Sequence, residues 1–254
     1  MDTKNTIKIN IMASCKGGTG KSLFARNLFS WYRDKGYNTL ILDCDEDSQT
    51  TSRYFPDECI SIDSTQYNFS DLIIDQGVRL VEENPTGKNA IVVDMKAGQT
   101  KNMLEWFKDI DVDFLKEEYN IELIGFGVLT SQPDATTSLE PWVKYLAERI
   151  KFFYVLNEKE GTQFNEFYNN KQFIKSRKLT QQLTIPALDT KYMQEVEKYN
   201  IIPCDLITNE QMKGFKVEGN SEINQGIMFK MRLRNFFNKI RTEINLIQGE
   251  LLPV

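Results

Sequence analysis

The chain has 254 residues, of which 41% are hydrophobic and 26% charged, with a formal net charge of −5 and no histidine. That length and balance suit one α/β domain, or at most two small ones. They exclude an imidazole-based triad, a His-ligated metal and a molecule-wide basic surface for nucleic acid. No apolar run approaches the ~18 residues of a membrane span. The opening stretch MDTKNTIKIN lacks a basic region followed by a long apolar core, so no secretion signal is expected. Cys15, Cys44, Cys59 and Cys204 form no C-x-x-C pair, a pattern of reduced thiols that fits a cytoplasmic protein.

In chain order, the apolar run IKINIMAS predicts a strand over 7–14. Over 22–35, Phe24, Leu28 and Tyr32 fall at helical spacing with Ala25 and Phe29 beside them, and Gly36 is placed to stop the helix. TLILDCD predicts a second strand over 39–45, followed by a turn-rich stretch and a helix over 71–83. Pro85 and Gly87 break that helix before a third strand over 89–95. One helix is predicted across 101–119, then a strand over 122–130 and a helix over 136–150. A fifth strand is expected over 152–157, a helix over 164–179 and a sixth strand over 183–188. Helices over 190–199 and 224–247 close the chain. This alternation implies right-handed crossovers and an α/β, doubly wound, mostly parallel sheet flanked by helices. No repeat or linker divides the chain, so 1–254 reads as a single domain. Such sheets bind ligands at the carboxyl ends of their strands, where Cys15–Ser22, Asp43–Asp47 and Asp94–Gly98 all fall.

The first of these segments, CKGGTGKS, is close to the phosphate loop G-x-x-x-x-G-K-[ST], with Cys15 in the place of the first glycine. A strand before it and a helix after it supply the required context. Gly17, Gly18 and Gly20 let the backbone curl so that N–H groups point at phosphate oxygens, and the helix start adds its positive end. Lys21 would neutralise the β- and γ-phosphates, and the Ser22 hydroxyl would be a Mg²⁺ ligand.

The run KGGTGKS resembles the deviant Walker A motif, K-G-G-x-G-K-[ST], of the ParA/MinD family of P-loop ATPases. The resemblance implies an ATP and Mg²⁺ site with Gly17, Gly18, Thr19, Gly20, Lys21, Ser22 and Leu23 around the nucleotide. It also implies that Lys16 is the signature lysine, which reaches across a face-to-face homodimer to the partner's nucleotide. A cation supplied in trans would stabilise phosphate charge as an arginine finger does. After the second strand, family members carry Asp-x-Asp-Pro-Gln. Here LILDCDEDSQT matches the two acids with Asp43 and Asp45. By resemblance Asp45 orients the attacking water and Asp43 joins the metal set. AIVVDMKAGQT matches Walker B, with Asp94 holding Mg²⁺ through water. Glu46 and Asp47 replace the Pro-Gln, and Lys96 and Ala97 stand where two prolines are usual.

Other readings of these acids fail. DCDED and DIDVD copy the start of a calcium loop, but position six is Ser48 or Phe114 and position twelve is Tyr54 or Asn120. LILDCDED also resembles the nucleophilic motif of haloacid-dehalogenase phosphatases, which expects Thr or Val at Asp47 and leaves Lys16–Ser22 unexplained.

In the second half, Asn157 and Pro186 sit at strand ends where relatives place groups near the adenine. Two basic stretches, Lys171, Lys175, Arg177, Lys178 and Lys230, Arg232, Arg234, Lys239, Arg241, could hold DNA nonspecifically. The second carries an apolar stripe, Phe229, Leu233, Phe236, Phe237, Ile240, Ile244 and Ile247, read as a core-packed face in preference to a membrane-binding one. The family resemblance therefore implies an ATP-dependent dimerising switch with slow hydrolysis, acting in plasmid or DNA segregation, positioning or transfer. A ParB-like or other activator is the implied partner. An ATP-dependent ligase or kinase, or a nucleotide-binding adaptor that does not hydrolyse, remains the alternative.

Overall fold

A computed structural model describes residues 6–14, 16–85, 87–178, 180–203 and 224–252. Cys15 and Cys204, whose thiols entered the sequence reading, lie outside the described residues, as does the end of the tail at 253–254.

Seven parallel strands form one sheet: β1 Ile7–Ala13, β2 Asn38–Cys44, β3 Cys59–Ser61, β4 Asn89–Met95, β5 Ile121–Thr130, β6 Lys151–Asn157 and β7 Gln182–Ile185. Their order is β3-β2-β4-β1-β5-β6-β7. The chain winds out from β1 to one side and then to the other, so the ends of β1, β2 and β4 converge at the switch point.

Helices cover both faces because side chains alternate along each strand. In β1, Ile7, Ile9, Ile11 and Ala13 enter one core and Met12 enters the other. The first core is covered by α2 Phe69–Glu83, α3 Thr100–Asp109, α4 Val112–Tyr119, α5 Pro133–Leu146, α6 Asn165–Asn169 and α7 Lys171–Arg177. The second is covered by α1 Lys21–Asp34, α8 Thr190–Lys198, α9 Asn224–Leu246 and α10 Gln248–Leu251.

The structure departs from the periodicity at several points. The helix expected across 101–119 is two helices. Ile110 turns extended, and the Asp111 carboxylate caps α4 by accepting from Phe114 N at 3.0 Å. The helix expected across 164–179 divides at Asn170, whose side chain accepts from Gln172 N at 2.9 Å and caps α7. The sixth expected strand ends early, because Pro186 has no N–H for a ladder. Strand β3, three residues with no buried face, was hidden in the turn-rich stretch. Helix α5 starts at Pro133, which suits a first helical position, and ends at Leu146.

All seven residues of the predicted α9 stripe are buried in the core. Trp31 Nε1 donates to Asn245 Oδ1 at 2.8 Å and the Tyr32 hydroxyl donates to Leu251 O at 3.1 Å, fixing α9 and α10 on α1. Among the described residues, no helix is long and apolar enough to cross a membrane.

Candidate functional site

The loop between β1 and α1 is held from both sides. The carbonyl of Lys16 accepts from Lys21 Nζ at 3.1 Å and from the Ser14 hydroxyl at 3.3 Å. Thr19 is buried, and its hydroxyl meets Ser14 Oγ at 3.3 Å. Gly20 has φ 103, the left-handed region that glycine tolerates, and a Cβ there would collide with the amide of Asn157. Asn157, at the end of β6, donates from Nδ2 to Thr19 O at 2.9 Å and accepts at Oδ1 from Lys159 N at 3.1 Å. Its amide braces the loop, a task that the sequence reading did not assign it.

A cleft of about 810 Å³ opens over this loop. Gly17, Gly18, Gly20, Lys21, Ser22, Leu23, Asp45, Asn157 and Pro186 line it, so the expected nucleotide residues other than the buried Thr19 share one space with the expected water-orienting acid. The wall beyond the loop is apolar at Ile185, Leu188, Met193 and Phe236, which suits the flat face of a base. Lys159, unmarked by any motif, adds a cation beside Gly18.

Of the three expected acids only Asp45 lines the cleft; Asp43 and Asp94 are buried and are not among its lining residues. Asp94, at the end of β4, is buried, and its Oδ2 accepts from the Thr51 hydroxyl at 2.6 Å. Its Oδ1 is buried with no hydrogen-bond partner among the described residues. Burial raises the Asp94 carboxyl to about 6, against the Thr51 and Ser22 hydroxyls, which pull it down. A carboxylate oxygen and a serine hydroxyl are oxygen donors of the kind Mg²⁺ takes, with phosphate and water filling its other positions, and no cluster of three or more metal-ligating side chains occurs among the described residues.

Asp43 is differently placed. Its Oδ2 accepts from Thr51 N, Ser52 N and Ser52 Oγ at 3.0, 2.9 and 2.9 Å, and its Oδ1 accepts from Asp45 N at 3.1 Å. Both oxygens thus help to fold the 45–52 loop, and Oδ1, with one of these bonds, keeps further acceptor capacity. Asp45 is half-buried, and its Oδ1 accepts from Ser48 N at 3.2 Å. Thr51, the side chain that joins this loop to Asp94, has no motif to betray it.

Lys16 is not among the residues lining the cleft. Its Nζ pairs with Asp134 Oδ1 at 2.6 Å, at the first turn of α5, and this lysine holds the Asp134 carboxyl below the usual range. The basic stretches are partly committed. Lys175 pairs with Glu148, Arg177 donates to Tyr168 O, Arg232 donates to the Tyr192 hydroxyl and Arg241 pairs with Asp34. Arg234 and Lys239 are exposed on α9.

A family model for the CobQ/CobB/MinD/ParA nucleotide binding domain matches residues 11–174. Among solved structures, the chain is similar to apo McdA from Cyanthece, at 10% identity over 94% of this chain and 99% of that one, with a TM-score of 0.54. It is similar to the cell division ATPase MinD of Pyrococcus furiosus at 14% identity over 94% and 99%, with a TM-score of 0.52. The MinD cell division protein of Aquifex aeolicus is similar at 9% identity over 94% and 96%, with a TM-score of 0.50. At these identities the likeness concerns the fold. A search among curated proteins finds no sequence match.

Proposed function

The chain belongs to the CobQ/CobB/MinD/ParA family of nucleotide-binding domains, and from that premise we propose that it is an ATP-driven dimerising switch with slow hydrolysis. The observation that carries this reading is the one cleft that gathers Gly17, Gly18, Gly20, Lys21, Ser22, Asp45, Asn157 and Pro186, with the buried Asp94 carboxyl next to Ser22. The loop N–H groups and Lys21 bind the phosphates, and the apolar wall beyond Pro186 takes the base. Ser22 and Asp94 would hold Mg²⁺, which neutralises phosphate charge when bound. Asp45 orients the attacking water, an act of placement that needs no unusual basicity. Lys16 leaves Asp134 to reach the partner's nucleotide across a two-fold interface, so each site is completed by the other subunit. Water attacks the γ-phosphorus, the bond to the β-phosphate oxygen breaks to give ADP and phosphate, and the loss of γ-phosphate charge weakens the hold of each Lys16 on the partner's nucleotide. The positioning or segregation of a DNA cargo, with a ParB-like activator, fits the exposed Arg234 and Lys239.

Sedimentation of the protein with ATP, ADP or no nucleotide tests this directly. Wild type and Asp45→Ala are expected to dimerise with ATP and Mg²⁺, the variant lastingly. Lys16→Ala should bind nucleotide yet stay monomeric, and Lys21→Ala should lose nucleotide binding. Normal ATP-dependent dimerisation by Lys16→Ala would refute the switch. A DNA gel shift at two salt concentrations tests the cargo, since phosphate contacts weaken steeply with salt.

A further inference from the structure

The positions at which this chain leaves its family's pattern touch one another. Lys96, two residues beyond Asp94, extends its ammonium between two carboxylates of the 45–52 loop. It pairs with Glu46 Oε1, and with Asp47 Oδ2 at 2.7 Å. The other Glu46 oxygen accepts from the buried Ser64 hydroxyl at 2.8 Å, so the turn after β3 holds the same carboxylate. The Lys96 and Glu46 side chains are only 21% and 26% exposed, which limits screening of the pair by solvent. Lys96 lies two residues after the buried Asp94, and its neighbour Ala97 is close enough to the phosphate loop that a Cβ on Gly17 would lie 3.9 Å from the Ala97 Cβ.

We infer that Lys96 is a positioning residue that ties the loop after β4 to the loop after β2 and so fixes Asp45, the neighbour of Glu46, over the phosphate site. This inference rests on the proposed ATPase reading. The tie has two ends. Asp43 folds the 45–52 loop from within through Thr51 and Ser52, and Lys96 clamps its opposite side. With the clamp gone, Asp45 keeps its local turn to Ser48 but loses its registry with the floor of the cleft. Misplacement of a catalytic group by a fraction of an ångström acts on turnover more than on ground-state binding. Glu46 and Lys96 are therefore a matched pair, and each is costly without the other.

The test compares Lys96→Met, Glu46→Gln and the charge-swapped double variant Glu46→Lys/Lys96→Glu with wild type in two assays. The first is tryptic cleavage after the exposed Arg53 in nucleotide-free protein, which reads the tie without any chemistry. The second is ATP hydrolysis alongside the Kd for a fluorescent ATP analogue. Both single variants are expected to be cleaved several-fold faster and to hydrolyse on the order of tenfold slower, with Kd within about twofold. The swap should recover a large part of both. Unchanged cleavage in the single variants would overturn the tie. Faster cleavage with unchanged hydrolysis, or a swap as impaired as the singles in both assays, would overturn the positioning role. A wild type that hydrolyses no ATP would instead remove the ATPase reading and the positioning role with it, while cleavage still reports whether the two loops are joined.

Discussion

Burial raises the Asp94 carboxyl to about 6, and its Oδ1 lies buried without a hydrogen-bond partner among the described residues. The folded chain holds this proton more tightly than the unfolded chain does, because the pKa rises from 3.8 on folding. The contribution of this group is therefore favourable at low pH and is lost as pH rises through about 6. Asp94→Asn should flatten that part of the profile of Tm against pH in nucleotide-free protein. The same variant should lose the stabilisation that Mg²⁺ and ATP give wild type near pH 7.5. Equal pH profiles for the two proteins between pH 4 and 8 would show that the orphaned oxygen costs nothing. The phosphate loop was legible in the sequence because its glycines and lysine are contiguous and each has a backbone or charge reason. Thr51 and the bracing role of Asn157 were not, because their partners, Asp94 and Thr19, are 43 and 138 residues away.

Six strands and the helices around them were legible because the two-residue alternation and the helical spacing of apolar residues follow from burial on one face or two. What escaped were the points where a single polar side chain outweighs periodicity. Asp111 and Asn170 each start a new helix, by capping it, inside a stretch whose periodicity reads as one helix. The close seating of α5 on β5 was also invisible, since it depends on glycines meeting an aromatic ring from another strand. Gly125 and Gly127 face the Phe152 ring, and a Cβ on Gly127 would lie 2.6 Å from Leu139 Cδ2 and 2.9 Å from Phe152 Cε1. Leu139 and Phe152 are buried, so neither has room to yield freely. Gly127→Ala should therefore cost about 1–3 kcal/mol in urea unfolding, the usual cost of overpacking a filled core. Gly36→Ala offers a contrast, because nothing lies within 4 Å of its Cβ position and any cost there comes from its φ of 76. Wild-type stability in Gly127→Ala would mean that α5 rides away from the sheet at no cost.

At the scale of the whole molecule, Lys16 has two competing partners, the carboxylate of its own chain and the nucleotide of a neighbour. In the single chain its ammonium pairs with Asp134, at the first turn of α5, and the two side chains are 35% and 68% exposed. A dimer that draws Lys16 to a neighbouring nucleotide must first release it from Asp134. Two-fold symmetry makes that release happen twice, so a weak contact is counted double in the association constant. Exposed pairs of this kind are weak and screened by salt. Asp134→Asn is therefore expected to tighten ATP-dependent dimerisation by about three- to tenfold at low salt, with the gap to wild type narrowing as salt rises. Nucleotide affinity of the monomer should not change, because Asp134 does not line the cleft. Sedimentation equilibrium with ATP and Mg²⁺ at two ionic strengths reads both effects. A weaker dimer in Asp134→Asn would place this carboxylate in the interface itself, where it would steer Lys16 across to the partner and would no longer compete for it.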